Sequence, residues 1–279
     1  MGQKGPLLED TIRTEFAMTP IFIVGSGRSG TSILLNTVRK TLDLPSHGEG
    51  HFFPMMLALN TATNQYFDRR KFQAKSPNHM LHNVDIKAFR RLLAEPVRKV
   101  FVDMYGEDGF VDKTPGRDGI VAIPHMQTVF PGMRVIYAQR RGLEVVRSAV
   151  RKFPHADFKT HCEIWRDCMV AWKASSARLR CDYIELDQFD LHTKPEAVTN
   201  QLAAFLELDD EQREKMLGFF QNDRPQSSGN LNEVVRAIGD LGWTDEQIDT
   251  FREICGEVMQ ECGYSETESY FAESEHADG

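Results

Sequence analysis

The chain has 279 residues, of which 41% are hydrophobic and 27% charged, and its formal net charge is −8. This is the composition of a soluble globular protein with enough chain to bury a core, and the acidic balance argues against a nucleic-acid partner bound by broad phosphate neutralisation. The five cysteines form no CxxC pair, the N-terminus lacks a signal-peptide core, and no window has the length of a membrane span. We therefore expect a cytoplasmic protein with no membrane partner.

The first predicted elements are a strand and a helix joined by a glycine-rich loop. Residues 21 to 24 are a continuous apolar, β-branched run, typical of a strand buried on both faces. From Gly30 the apolar residues recur with a helical period, and Pro45 marks the end of the helix.

The segment from 52 to 105 contains no convincing strand, and we predict helices with breaks at Pro54, Pro77 and Pro96. Inserted between the first and second strands, these helices could cover the carboxyl edge of the sheet, where ligands bind in open α/β folds. They could equally form a layer that covers the core.

Further strands are predicted at residues 109–112, 134–138 and 182–186, with helical patterns after the last two. This alternation indicates a parallel sheet covered on both faces. We predict an α/β fold: a three-layer, P-loop-like sandwich with a central parallel sheet flanked by helices and a helical insertion over the active-site edge.

The C-terminal region is predicted to contain one more helix. It starts at a capping box formed by Thr244 and Gln247 and ends at Gly263. Residues 265 to 279 are acidic and polar, which predicts disorder. The domain prediction is a single domain over residues 1 to 264, followed by this tail.

The loop sequence GSGRSGTS, residues 25 to 32, has the properties of an anion site. Its glycines permit a tight turn, its N–H groups converge, and the helix N-terminus adds partial positive charge. A Walker A loop would place lysine after Gly30, but Thr31 stands there and the cation lies inside the loop as Arg28. The alternative is a glycine-rich turn with no ligand, and the loop alone does not name a nucleotide.

A second anion site is predicted where the strand at 134–138 ends. Arg140 and Arg141 follow this strand, and Ser148, Arg147 and Arg151 lie on the next predicted helix. Two anion sites on one sheet edge suggest a ligand with phosphates at both ends, whereas the alternative is a solvated basic helix face. The basic residues expected to form the local pocket are Arg28, Lys113, Arg140, Arg141, Arg147 and Arg151.

These two motifs together resemble those of sulfotransferases that use 3′-phosphoadenosine-5′-phosphosulfate (PAPS). In that family a [KR]-S-G-T-[ST] loop holds the 5′-phosphosulfate, and residues 28 to 32 match it. A strand ending in arginine, with serine eight residues later, holds the 3′-phosphate, and Arg140 and Ser148 match it. The family often has proline two residues after this arginine, whereas this chain has Gly142.

Two further segments carry the resemblance. The sequence DKTP at residues 112 to 115 is similar to a Lys-Thr or Lys-Asp-Pro element, and DYIELDQF followed by FLEL is similar to a later family segment. The resemblance implies that PAPS is the donor, that 3′,5′-ADP is the product, and that no metal is required. The residues it implies for nucleotide binding are Gly27, Arg28, Ser29, Gly30, Thr31, Ser32, Arg140, Ser148, Ser227 and Ser228.

The resemblance also suggests the catalytic groups. Lys113 and Arg28 would stabilise the transferring sulfuryl group and the departing phosphate oxygen. The cytosolic branch has a histidine base where this chain has Pro115, but tyrosylprotein sulfotransferases use a glutamate in a context similar to that of Glu49. Glu49 is therefore the predicted general base; the alternatives are a surface glutamate here and a base at His125.

His47 and His51 flank Glu49, but they lack companion ligands at a convincing spacing, so no metal site is predicted. The predicted function is in-line transfer of the sulfuryl group to a hydroxyl or amine of a small-molecule acceptor. Two alternatives stay open: a small-molecule kinase using ATP and Mg²⁺, against which Thr31 counts, and a nucleotide-binding module without transfer activity.

Overall fold

The computed structural model describes residues 19–222 and 236–272. Within these residues the centre of the fold is a sheet of four strands in the order β2-β1-β3-β4, and every neighbouring pair is parallel. The strands are β1 (Ile21–Gly25), β2 (Val111–Lys113), β3 (Arg134–Gln139) and β4 (Tyr183–Asp187). The predicted α/β class with a central parallel sheet is confirmed, although β2 begins two residues later than the sequence pattern predicts.

Helices cover both faces of this sheet. In chain order they are α1 (Thr31–Leu42), α2 (Pro54–Arg69), α3 (Lys71–Lys75), α4 (Ile86–Tyr105), α5 (Arg117–Met126), α6 (Gly142–Lys152), α7 (Phe158–Ser176), α8 (Gln188–Thr193), α9 (Pro195–Leu206), α10 (Asp210–Asn222) and α11 (Asp245–Glu261).

The side chains of β1 alternate between two apolar clusters. Ile21 and Ile23 pack with apolar residues of α1, α9 and α10, whereas Phe22 and Val24 pack with those of α5, α7 and α11. Because successive strand residues point to opposite faces, a strand that is apolar at every position must lie between two layers. The continuous apolar run therefore produces three layers with β1 at the centre.

The helical insertion follows the predicted prolines in part. Pro54 is the first residue of α2, and Pro77 lies between α3 and a 3-10 turn at Met80–Asn83. The predicted break at Pro96 is wrong, because this residue lies inside α4. Proline removes one helical hydrogen bond, but the buried side chains of Ala94, Val97 and Phe101 hold the helix against the core on both sides of it.

The C-terminal region differs from its prediction at one point. The capping box of Thr244 and Gln247 starts α11 as predicted. Residues 265 to 272, however, do not match the predicted disorder, because Tyr270 is buried and Tyr264 forms a β-bridge with Phe271. The acidic pattern of this segment hides the fact that Tyr270 packs into the core beside Tyr264. Residues 273 to 279 lie outside the described residues.

Among the helices that the structure describes, none combines the length and the apolar character that crossing a membrane requires.

Candidate active site

The glycine-rich loop connects β1 to α1 at the carboxyl edge of the sheet. At Gly25 a Cβ atom would lie 2.2 Å from the carbonyl oxygen of Ala138 on β3, so the loop can leave the sheet here only with glycine. Arg28 and Gly30 have positive φ values of 69° and 91°, and the Ser29 hydroxyl donates to the carbonyl of Ser26 at 2.7 Å. The loop therefore curls tightly in front of the α1 N-terminus.

The geometry of this loop fits an anion. No side chain in the described part of the chain caps the N-terminus of α1, so its first N–H groups carry the partial positive charge of the helix. The hydroxyl of Ser26 and the Nε of Arg140 are buried without a hydrogen-bond partner among the described residues. Because unpaired buried polar atoms are costly, a ligand with anionic oxygens would satisfy groups that the protein leaves open.

The two predicted anion motifs meet in the structure. Arg28 Nε donates to Ser148 Oγ at 2.9 Å, and Arg140 Nη1 donates to the carbonyl of Arg28 at 3.1 Å. They meet because β1 and β3 are neighbours in register, with Gly25 beside Ala138. Burial lowers the pKa of Arg140, but a guanidinium keeps its charge in proteins.

Lys113 is the last residue of β2, which lies on the opposite side of β1 from β3. Its ammonium group is buried, and it donates to Ser32 Oγ and to Glu49 Oε1, both at 2.9 Å. The parallel pairing of β2 with β1, in which Lys113 lies beside Ile23, brings the lysine to the first turn of α1. Lys113 therefore connects the glycine-rich loop to the predicted base.

Glu49 lies on a tightly bent segment after α1 that pairs with Lys113, the last residue of β2. The N–H of Gly50 donates to the carbonyl of Lys113 at 3.0 Å, and His51 has a φ of 48° with its N–H donating to Thr114 Oγ1. The second oxygen of Glu49 lies 2.9 Å from His51 Nε2. This backbone arrangement aims the carboxylate at the edge of the sheet.

The two neighbours of Glu49 also control its charge. Burial raises the pKa of this carboxyl, but the hydrogen bonds from Lys113 and His51 outweigh burial and bring the pKa below its ordinary value. The carboxylate is therefore charged at neutral pH and can accept a proton.

A buried pair supports this segment and was not predicted. Tyr105, at the end of α4, donates to Asp112 Oδ2 at 2.8 Å, and a Cβ on Gly50 would lie 2.0 Å from the same oxygen. Burial raises the pKa of Asp112. The position of Asp112 directly before Lys113 was the available sequence signal, but its partner on α4 cannot be read from local pattern.

The structure does not bring Arg141 to the predicted anion site. Its side chain is fully buried and binds Glu144 together with the carbonyls of Ser265 and Thr267, so the prediction that it belongs to the basic pocket is wrong. Arg147 is half-buried and Arg151 exposed, both on α6. Adjacent residues at a strand end point in different directions, and here only Arg140 turns towards the loop.

The remaining predicted residues fall in three places. His125 Nδ1 lies 3.0 Å from the side-chain nitrogen of Asn60, and its Nε2 lies 3.3 Å from Arg178. His47 Nε2 donates to the carbonyl of Met104. Within residues 19–222 and 236–272 no group of three or more His, Cys, Asp or Glu could hold a metal ion. Ser227 and Ser228 lie outside the described residues.

Gly142, which stands where the sulfotransferases often have proline, has a packing explanation. A Cβ at this position would lie 3.1 Å from the indole ring of Trp165 and 3.2 Å from Phe251. The start of α6 therefore packs closely on α7 and α11, and a side chain at residue 142 would press against the rings of Trp165 and Phe251.

Comparison with solved structures finds a similar fold. The chain is similar to sulfotransferase STF9 from Mycobacterium avium, with a TM-score of 0.53 and 16% identity over 88% of this chain and 77% of that one, so the two share a fold. It also resembles the sulfotransferase domain of the Synechococcus PCC 7002 olefin synthase, with a TM-score of 0.49 and 20% identity over 77% of this chain and 83% of that one.

The search against curated proteins finds no match. The family model described as "Sulfotransferase family" matches residues 20–212, which is well over half of the chain and includes the loop, Glu49, Lys113, Arg140 and Ser148. The chain therefore belongs to the sulfotransferase family and is a sulfotransferase.

Proposed function

We propose that this enzyme transfers the sulfuryl group of PAPS to a hydroxyl or amine of a small-molecule acceptor, with Glu49 as the general base. The observation that carries the proposal is the contact between the two anion motifs: Arg28 Nε lies 2.9 Å from Ser148 Oγ, and Arg140 reaches the loop carbonyl of Arg28. One nucleotide with a phosphate at each end of its ribose would meet both motifs.

The loop would hold the 5′ side of this donor. Residues 27 to 32 offer backbone N–H groups, the α1 N-terminus and the hydroxyls of Thr31 and Ser32. The 3′-phosphate would lie against the unpaired Nε of Arg140 and the hydroxyl of Ser148. Guanidinium groups suit phosphate oxygens because they present several N–H donors in one plane.

The donor supplies an electrophilic sulfuryl group whose leaving group is a phosphate oxygen. Glu49 would take the proton of the acceptor hydroxyl or amine as the new bond to sulfur forms. Lys113 and Arg28 would stabilise the negative charge on the departing oxygen, so 3′,5′-ADP leaves as the bond from sulfur to that oxygen breaks. Lys113 is suited to this task because its contact with Ser32 Oγ already holds it at the loop.

A nucleotide-binding measurement tests the donor assignment. We expect 3′,5′-ADP to raise the melting temperature more than either 5′-AMP or ATP with Mg²⁺. Replacing Arg140 with alanine should weaken binding of 3′,5′-ADP by about tenfold or more and binding of 5′-AMP much less, since the charged hydrogen bond that is lost is the one to the 3′-phosphate.

Arg134 provides the matched control. It lies at the other end of β3, where it pairs with Glu207 on the surface, so Arg134→Ala should not alter nucleotide preference. Stronger stabilisation by ATP with Mg²⁺ than by 3′,5′-ADP would favour the kinase alternative. A preference for 3′,5′-ADP without sulfuryl transfer to any of a panel of hydroxyl and amine acceptors would favour the binding module.

A further inference from the structure

The C-terminal segment, residues 264 to 272, contacts the sheet beside Arg140. The hydroxyl of Tyr270 accepts a hydrogen bond from the backbone N–H of Arg141 at 2.8 Å and donates to Asp187 Oδ1 at 2.9 Å. Asp187 ends β4 and Arg141 follows β3. A single buried phenol therefore joins the ends of two neighbouring strands.

The side chain of Arg141 fixes this segment in place. Its Nη1 donates to the carbonyls of Ser265 and Thr267, both at 2.9 Å, and its guanidinium lies 4.9 Å from the centre of the Tyr270 ring. Glu144 balances the buried charge. The segment is thus held by charge-assisted hydrogen bonds, which are stronger than neutral ones.

Two of the hydrogen bonds in this region converge on the peptide unit between Arg140 and Arg141. The carbonyl oxygen of Arg140 accepts from Trp165 Nε1 at 3.0 Å, and the N–H of Arg141 donates to Tyr270. These two groups belong to the same planar peptide, so hydrogen bonds from α7 and from the C-terminal segment hold that plane on both sides. Fixing this plane fixes the backbone of Arg140 and the direction in which its side chain leaves the strand.

We propose that Tyr270 is a positioning residue that holds Arg140 in the orientation needed to recognise the 3′-phosphate of the donor. The inference rests on the proposed function, since Arg140 is there assigned to that phosphate. The C-terminal segment, some 130 residues after β3 in the sequence, then forms part of the nucleotide site without touching the nucleotide.

Paired tyrosine variants provide the test. Tyr270→Phe removes the hydroxyl that holds the peptide after Arg140, whereas Tyr264→Phe removes a different phenol that donates to Asp187 Oδ2 at 2.6 Å. Both are buried and both lose one hydrogen bond to the same carboxylate. Dissociation constants for 3′,5′-ADP and 5′-AMP are measured for each variant beside the wild type, with melting temperatures recorded alongside.

We expect Tyr270→Phe to weaken 3′,5′-ADP binding by about three- to tenfold while 5′-AMP binding stays unchanged, and Tyr264→Phe to preserve the ratio of the two constants. An unchanged ratio in Tyr270→Phe, or an equal change in both variants, would overturn the inference. Should Tyr270→Phe fail to fold, Trp165→Phe releases the same peptide from its other side and is expected to change the ratio in the same direction. An unchanged ratio in Trp165→Phe would then overturn the inference.

The wild type separates this inference from the proposed function. If the wild type binds 5′-AMP as tightly as 3′,5′-ADP, the proposed function fails before any variant is compared. If the wild type discriminates and Tyr270→Phe discriminates equally well, only the role of Tyr270 fails.

Discussion

Glu49 contacts a buried ammonium group with one carboxylate oxygen and an exposed imidazole with the other. The Glu49 side chain is 47% exposed, whereas that of Lys113 is 5% exposed, so an acceptor can approach the carboxylate from solvent while the lysine stays enclosed. The proposed general base must be unprotonated before it can act. The hydrogen bonds that lower its pKa ensure this at neutral pH, and they also make it a weaker base than a free carboxylate.

Glu49→Gln should reduce kcat by about 10²- to 10⁴-fold while 3′,5′-ADP binding survives, because the amide keeps a hydrogen-bond acceptor for Lys113 but cannot take a proton. Single-turnover transfer rates and nucleotide titrations measure the two properties separately. Turnover at the wild-type rate would remove Glu49 as the base.

The pH dependence of kcat/KM gives an independent prediction. Because the pKa of Glu49 is lowered from an ordinary value of 4.5, activity should fall only as pH drops below 4.5, where the carboxylate becomes protonated. His51→Gln should move this acidic limb to higher pH, because the hydrogen bond from His51 is one of the interactions that lower the pKa. An acidic limb near pH ~6.5 in the wild type would instead indicate an imidazole base.

The loop residues and Arg140 are placed by the ends of two neighbouring strands, at Gly25 of β1 and Ala138 of β3. Their registry brings the loop after β1 against the residues after β3, and the absence of a side chain on Gly25 allows this approach. Since the two anion motifs depend on one close backbone contact, a small change there should disturb both.

Gly25→Ala should therefore destabilise the fold by about 1–3 kcal/mol, because the new Cβ would lie 2.2 Å from a backbone oxygen that cannot move aside cheaply. Chemical unfolding measures this loss. Gly27→Ala is the control for stability, since a Cβ there would have no neighbour within 4 Å among the described residues. Equal stability of the two variants would contradict this account of the loop.

At the scale of elements, the sequence pattern correctly predicts the features that interactions between neighbouring residues determine. The apolar run of β1, the loop glycines and the capping box at Thr244 each act over a few residues, and the structure contains all three. The predictions that fail involve distant partners. Pro96 is tolerated because α4 packs on the core. Tyr270 is ordered by Asp187 and Arg141, which lie 83 and 129 positions earlier in the chain. No local pattern records such contacts.

The candidate site shows the same division. The spacing within the loop and from Arg140 to Ser148 reflects a strand-to-helix turn, so the motifs could be found in the sequence, and the parallel sheet brings them together. Arg141 has the same type and nearly the same position as Arg140, yet it turns into the core to bind Glu144 and the C-terminal segment. Its role depends on a tertiary contact rather than on its position in the motif.

Across the whole molecule, the chain must bring its C-terminal segment back to the strands that form the site. Tyr264 and Tyr270 belong to the same apolar cluster as Trp165 and Phe251, and their hydroxyls both bind Asp187. The segment therefore completes the core on the face of the sheet covered by α5, α7 and α11. Folding of the sheet edge and burial of the C-terminal segment should be one cooperative event.

Truncation after Gly263 should consequently destabilise the whole domain by about 3–5 kcal/mol, because it leaves the buried guanidinium of Arg141 without the carbonyls of Ser265 and Thr267 and exposes apolar surface. The urea midpoint and the cooperativity of unfolding measure this loss. Truncation after Ala272 removes none of the contacts described for Tyr264, Tyr270 and Arg141, so we expect it to unfold at the wild-type midpoint. If both truncated chains were as stable as the full chain, the segment would be an attachment to the fold rather than a part of its core, and the support it gives to Arg140 would have to come from Trp165 alone.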